Sequence, residues 1–377
     1  MKYKISPAIL FLMTTSFIQS SAIIMSYVTD VSGRDTWLII LFGLLAFLPI
    51  AAIFITLAQK FPGKTLIEIN ELVLGKIAGK IVSAIYCIYF FILCFLNLDD
   101  MSAFIVGTLM PETPKAAVLA LFMAVACYAV RKGPADITRW TMAIVAGLFM
   151  ITIINTLLLA DQIKPEHLKP VLNQSPGVYF HAMMNMVFIA YAEIMILWMF
   201  FPILEKPMEL KKPLIGGTAF GTVILLVVSA RDIAVLGDAA TYFTNPSYEA
   251  IRLINLADIL TRMEVLYAIV LLLLLFYKIT LLLYATAKGL EQVTGIQSYR
   301  SLVWPIGVLV ACYSLASFDS PLEQLYWGKN FASIFSMCFL LLLPLITLCM
   351  AAVRGFKKAK PPQDPQQSPP KEVPQTS

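Results

Sequence analysis

Charge is the first thing this 377-residue chain is short of: Asp, Glu, Lys and Arg make up 14% of it, whereas apolar residues reach 59%. At 41.8 kDa and a mean hydropathy of +0.81, a soluble globule could not cover its surface with polar atoms. Histidine is scarcer still. His167 and His181 are the two present, and neither lies near a plausible nucleophile. The chain also lacks a GxSxG, a Walker loop and an HExxH, so no enzymatic chemistry is expected, and no metal or cofactor. Six cysteines occur (Cys87, Cys94, Cys127, Cys312, Cys338, Cys349), but never as CxxC and never beside clustered histidines. All lie in apolar runs and read as buried thiols, neither a disulfide framework nor a metal site. Dense basic clusters are missing too. Lys and Arg are scattered over short turns, so the net charge of +5 does not describe a nucleic-acid-binding surface.

What is abundant is long apolar runs. A hydrocarbon core about 30 Å thick takes about 20 helical residues. Runs of that kind lie at about Ile9–Val28, Trp37–Ala58, Ile81–Phe104, Ala116–Val130, Trp140–Ala160, His181–Leu204, Leu214–Leu236, Val265–Ala287, Leu302–Ala316 and Phe331–Val353. The first exceeds the h-region of a signal peptide and many others follow, so it reads as a retained helix. The expected architecture is an all-α polytopic membrane protein of ten helices, occupying residues 1–358. The tail, 359–377, is dense in Pro and Gln and nearly devoid of apolar residues, and is expected to be disordered.

Counting Lys and Arg by side sets the orientation. With ten spans, 19 of the 28 fall on the face that holds both termini and 8 on the opposite face, with Lys278 inside a span. By the positive-inside rule both termini are cytoplasmic, as an even number of spans requires. The longest stretch on the outer face is Gly237–Glu264. It carries a helix-like pattern from Tyr248 to Leu260, expected to be an interfacial or capping helix.

The run His181–Leu204 has one carboxylate, Glu193, near mid-membrane. An acidic residue at that depth costs roughly 2.5 to 3.5 kcal/mol on insertion scales, so it faces a partner or a water-filled cavity. The alternatives are a protonated Glu bonded to a neighbouring helix and a functional site; the second is favoured. The centre of the first span is polar and small, with Ser20-Ser21-Ala22 amid Thr14, Thr15, Ser16 and Gln19. It suits either close helix packing or close approach of a ligand. Lys278 lies about 14 residues into the eighth span; it either snorkels to the cytoplasmic interface or projects inward, toward Glu193 or as a fixed positive charge. Asn97, Asp99 and Asp100 follow the apolar part of the third span near its outer mouth, the two aspartates as a solvated helix end. Tyr86, Tyr89 and Phe90 of that span are packing residues first and pocket-wall residues second. Arg231-Asp232 reads as a pair at the membrane interface.

Ten spans divide as five plus five, and the two most site-like helices are the first and the sixth. Two inverted five-helix repeats, about 5–160 and 175–354, would each open with a discontinuous helix. Free N–H groups at a half-helix N-terminus would then offer roughly +0.5 charge to a substrate carboxylate, which suits an amino acid.

Several segments resemble the B subunits of endospore nutrient germinant receptors. They are Lys60-Phe-Pro-Gly-Lys-Thr-Leu-Ile-Glu-Ile69, Met110-Pro-Glu-Thr-Pro114, Arg131-Lys-Gly133, Gly33-Arg-Asp-Thr-Trp37, Tyr191-Ala-Glu193 followed by Pro202, and Arg262-Met-Glu264. The match runs in order from about Ile5 to Arg354. That family is similar to the amino acid, polyamine and organocation transporters, which implies the inverted-repeat fold with discontinuous helices one and six. It also implies nutrient sensing in the spore inner membrane beside a membrane-anchored A subunit and a lipoprotein C subunit. Carried over by position, the ligand site would comprise Ser20, Ser21, Ala22 and Ile23 with Tyr191, Ala192 and Glu193. Two glycines expected there, in helices one and six, are replaced by Ser and Ala, so side-chain hydroxyls would take over from open backbone. The second functional reading is a transporter moving an amino acid by alternating access, with Glu193 or Lys278 carrying a coupling proton.

Overall fold

The structure is a computed structural model that describes residues 3–254 and 262–357. Among these, eight helical stretches are long and apolar enough to cross a membrane: Pro7–Lys60, Lys76–Leu109, Pro134–Leu158, Pro176–Ile203, Lys211–Tyr242, Met263–Thr294, Tyr299–Ala316 and Ala332–Val353. All ten apolar runs found in the sequence lie on helix. The difference in count has two causes. The first two runs merge into one 54-residue stretch, and Lys115–Lys132 carries three charges in 18 residues.

The stretch 7–60 is not one rod. Ser6 caps α1 (Pro7–Ser20), its hydroxyl accepting from the Ile9 N–H at 3.3 Å with Pro7 in the first turn. A 3₁₀ turn at Ser21–Ile24 leads into α2 (Met25–Ser32), and Gly33 at φ 58° ends it before α3 (Thr36–Lys60). Next come α4 (Leu66–Leu74), α5 (Lys76–Phe104), α6 (Lys115–Lys132), α7 (Pro134–Arg139) and α8 (Thr141–Leu158). α4 opens with a capping box, Thr65 and Glu68 each bonding the other's backbone N–H.

The chain continues through α9 (Pro176–Asn185), α10 (Lys211–Leu236), α11 (Pro246–Arg252), α12 (Met263–Thr294), α13 (Tyr299–Ala316) and α14 (Pro321–Asn330). It ends in α15 (Ala332–Met337) and α16 (Leu343–Val353). The long α5 and α12 pack on each other at the centre. α1 lies against α10, where Gly217 and Gly221 admit it: a Cβ on Gly217 would stand 2.6 Å from the Phe11 carbonyl oxygen. Thr15 and Gln19 bond across that seam to the Gly217 and Gly221 carbonyls at 3.2 and 2.5 Å.

Several expectations are corrected here. The first and sixth spans change pitch instead of opening into two half-helices. The first tightens at Ser21–Ile24, where the Ser21 N–H still reaches the Ile18 and Gln19 carbonyls. The sixth passes from α9 into a π segment, Met186–Tyr191, and then a 3₁₀ segment, Ala192–Ile203. Arg231 and Asp232 are a buried pair, with Asp232 also accepting from Ser247, because α11 folds back over them. Cys87, Cys94 and Cys127 are buried as expected, but Cys312, Cys338 and Cys349 lie on outward-facing positions. Of the helix expected over Tyr248–Leu260, residues to Arg252 are helical and 255–261 lie outside the described residues, as does the tail 358–377.

Candidate functional site

Winding decides where Glu193 points. A π segment followed directly by 3₁₀ rotates successive side chains by unequal steps, and such irregular turns concentrate at functional sites. The junction falls at Tyr191/Ala192, so Glu193 is the second residue of the tight segment. Its carboxylate is buried and meets Lys278 of α12, with Oε2 2.7 Å from Nζ. Lys278 is 1% exposed, which excludes snorkelling. The same ammonium donates to the Ser21 hydroxyl at 3.3 Å and sits 5.0 Å above the Phe17 ring. One cation thus joins the 3₁₀ turn of the first span to the 3₁₀ segment of the sixth.

Glu193 and Lys278 line a cavity with about 490 Å³ of empty space. Its opposite wall comes from α5, where Leu93, Leu96, Asn97 and Asp100 share one face, and from Trp327, Phe335 and Ser336 of α14 and α15. Asp100 is the hub of its far side. It accepts from the Tyr27 hydroxyl at 3.1 Å and from Gln324 Nε2 at 2.6 Å. Tyr27, Asp100 and Gln324 also line a second cavity, with about 650 Å³ of empty space, reaching Thr108, Thr244 and Pro321. The three side chains therefore form a partition between an inner chamber and a vestibule. Gly328 is needed beside it, since a Cβ there would stand 2.4 Å from the Tyr27 ring.

The sequence-derived residues divide into two groups. Ser21, Glu193 and Lys278 come together, and Asn97 lines the same chamber, its amide donating to the Leu93 carbonyl at 2.8 Å. Ser20 turns its hydroxyl to the Phe17 carbonyl, and Ala22 and Ile23 line other cavities. Tyr191 is fully buried, donates to the Ile40 carbonyl at 3.0 Å and stacks on Phe47 at 5.8 Å. Tyr86 donates to the Phe339 carbonyl, Tyr89 stacks on Phe339 at 4.3 Å, and Phe90 packs between the two. These four aromatics brace the chamber from behind.

The reading of the aspartates as a solvated helix end is overturned. Asp99 is buried and paired with Lys115 of α6 at 2.5 Å, and Asp100 lies under α14. Tyr27, Asp100, Gln324 and Trp327 were not singled out as site residues. Asp100, Gln324 and Trp327 carry a signal in the spacing Leu93, Leu96, Asn97, Asp100 on α5 and Gln324, Trp327, Gly328 on α14, each a single helical face, whereas Tyr27 on α2 carries none.

Known proteins resemble this chain along almost its whole length. The profile of the family described as "Spore germination protein" matches residues 4–320. "Spore germination protein KB" of Bacillus subtilis is 26% identical over 95% of this chain and 97% of its own length. "Spore germination protein B2" of the same organism is 27% identical over 54% and 57%. Among solved structures, the nucleobase-cation-symport-1 family transporter Mhp1, closed with bromovinylhydantoin bound, aligns with a TM-score of 0.67 at 13% identity, covering 92% of this chain and 78% of that one. MhsT in complex with L-phenylalanine aligns at 0.61 and 15% identity over 94% and 89%. At such identities the likeness concerns the fold, which is that of these transporters.

Proposed function

The chain belongs to the spore germination protein family, and from that premise we propose that it is the nutrient-sensing B subunit of a spore germinant receptor. It is an integral membrane protein. The chamber between the first and sixth spans holds the ligand, an amino acid or a molecule of like size and polarity. The observation that carries this reading is the Glu193–Lys278 pair, buried at 2.7 Å on the wall of a chamber whose other side is closed by Asp100, Tyr27 and Gln324. A zwitterion can exchange partners with such a pair: its ammonium with Glu193, its carboxylate with Lys278 and Ser21. Because the backbone at Ser21–Ile24 keeps its hydrogen bonds, the charge for the carboxylate comes from Lys278 and not from bare N–H groups.

Sensing requires that ligand favour one of two arrangements. Exchange of partners at Lys278 would uncouple the two 3₁₀ segments and let α2 and the sixth span shift, a change passed on to A and C subunits. The ten runs, read as ten passes in two inverted repeats, fit this. A 54-residue helix would be about 80 Å long, far more than one crossing, and Gly33 supplies the break. α5 and α12, each third in its half, form the central packed pair. Both termini are assigned to the cytoplasmic face of the spore inner membrane, with α11 and α14 on the outer side.

A second reading, a proton-coupled amino acid transporter, is favoured by the fold shared with the transporters and by a protonatable group on the chamber wall. Spores carrying Glu193→Gln or Ser21→Leu, with subunit levels checked, test the two together with amino acid uptake into proteoliposomes. Loss of germination at normal protein level without uptake by the wild type supports the sensor. Uptake that needs Glu193, with germination untouched, supports the transporter and overturns the sensor.

A further inference from the structure

A third cavity, with about 590 Å³ of empty space and open to the outside, lies on the other side of the sixth span from the ligand chamber. It is a crevice between α3, the Ala192–Ile203 segment and α10, and its lining is apolar apart from Thr218. On α3 it runs from Leu44 to Ile55, about 16 Å of helix. Leu48, 41% exposed, stands at its mouth on the outside of the helix bundle. Trp198 forms the floor.

The crevice ends where α10 begins, and there the chemistry changes. Lys211 and Lys212 open α10, one and two turns before Leu214, Ile215, Thr218 and Ala219 of the lining. The spacings 211/214/215/218 and 212/215/219 put both lysines on the face that lines the crevice. Both are exposed, and neither has an acidic partner among the described residues, since Lys206 takes Glu209. With Glu205 also nearby, the five charges of 205–212 leave this end positive. No side chain caps α10, so its first N–H groups add partial positive charge.

We propose that this crevice binds one acyl chain of an anionic phospholipid, with the lipid phosphate held by Lys211, Lys212 and the N-terminus of α10. The occupant is a lipid because the crevice lies between helices long and apolar enough to cross a membrane, its one lining hydroxyl, Thr218, is bonded to the Leu214 carbonyl of its own helix, and the two exposed lysines stand at the end where a headgroup would lie. Bound there, the chain packs on Ile194 and Trp198, in the same short segment as Glu193. Lipid occupancy therefore bears on the element that holds the Lys278 pair.

The full-length protein, with Trp37, Trp140, Trp304 and Trp327 replaced by Phe, reports from Trp198 alone. It is reconstituted with vesicles containing dibrominated phosphatidylglycerol or dibrominated phosphatidylcholine at equal bromine content. The expected result is Trp198 quenching that favours phosphatidylglycerol, the preference falling about fivefold for each lysine removed in Lys211→Gln and Lys212→Gln. These exposed substitutions leave the fold intact. Ala51→Phe, which fills the crevice, removes the quenching by both lipids. Equal quenching by the two lipids, or a preference that survives loss of both lysines, overturns the proposal. So does the absence of quenching by either, which would leave the crevice to a protein helix.

Discussion

Removing one partner of a buried ion pair costs more than removing both, because the survivor is left charged in a low-dielectric site. Lys278→Met is therefore expected to destabilise the protein by about 3–5 kcal/mol, and Glu193→Gln combined with it to recover most of that loss. Thermal melts in detergent check this; a double variant as unstable as the two losses summed would rule out direct coupling. Exchanging the charges, Glu193→Lys with Lys278→Glu, should restore more function than either single removal. Glu193 stood out in the sequence because a lone carboxylate in an apolar run must face a partner or a cavity, whichever of the two readings of it holds. The direction of Lys278 was not, because a four-carbon stem can serve either a partner or the interface. Asp100 was misread for a related reason: the end of a long span looks solvated until α14, far away in sequence, is laid over it.

At the scale of elements, the irregular spans were legible in position and not in kind. Small polar residues marked the centre of the first span, but Ser and Ala in place of the expected glycines keep the backbone wound, as 3₁₀ turns instead of open chain. The segments that carry the family resemblance are mostly joints. Gly33 breaks the helix, Arg34 binds Asp238, and Asp35 accepts from the Leu172 N–H and the Tyr179 hydroxyl. Thr65 and Glu68 cap α4, and Lys60 binds the Phe356 carbonyl. Such motifs identify the architecture and say little about the ligand. Thr65→Ala should cost about 1 kcal/mol without altering the nutrient response. Gly328→Leu, which must displace Tyr27, should cost about 1–3 kcal/mol and disturb the partition as well. The partition can be probed directly. With Cys312, Cys338 and Cys349 replaced by Ser, a Ser336→Cys reporter in the chamber should react slowly with an impermeant thiol reagent added from the α14 side. Tyr27→Ala or Gln324→Ala should raise the rate severalfold. An unchanged rate would mean that Asp100 and its partners do not guard the chamber.

For the whole molecule, composition alone gave the membrane class, and the ten apolar runs all proved helical. Their number as separate stretches did not follow, because three charges in Lys115–Lys132 and the helical turns that join the first two runs across Gly33 blur what hydropathy can count. Orientation rests on the distribution of Lys and Arg and predicts that Lys132→Cys and Tyr326→Cys are labelled from opposite sides of the membrane. Labelling from the same side would contradict the ten-pass arrangement. The chamber itself could not be read from sequence, since its walls come from α2, α5, α12, α14, α15 and the sixth span. Nutrient binding in that chamber is what the sensor proposal depends on. It is tested most directly by germination of spores carrying Phe335→Ala across a panel of amino acids of graded size, at normal protein level. Enlarging the apolar wall opposite Glu193 should shift the response toward bulkier nutrients; an unchanged order of preference would contradict the account.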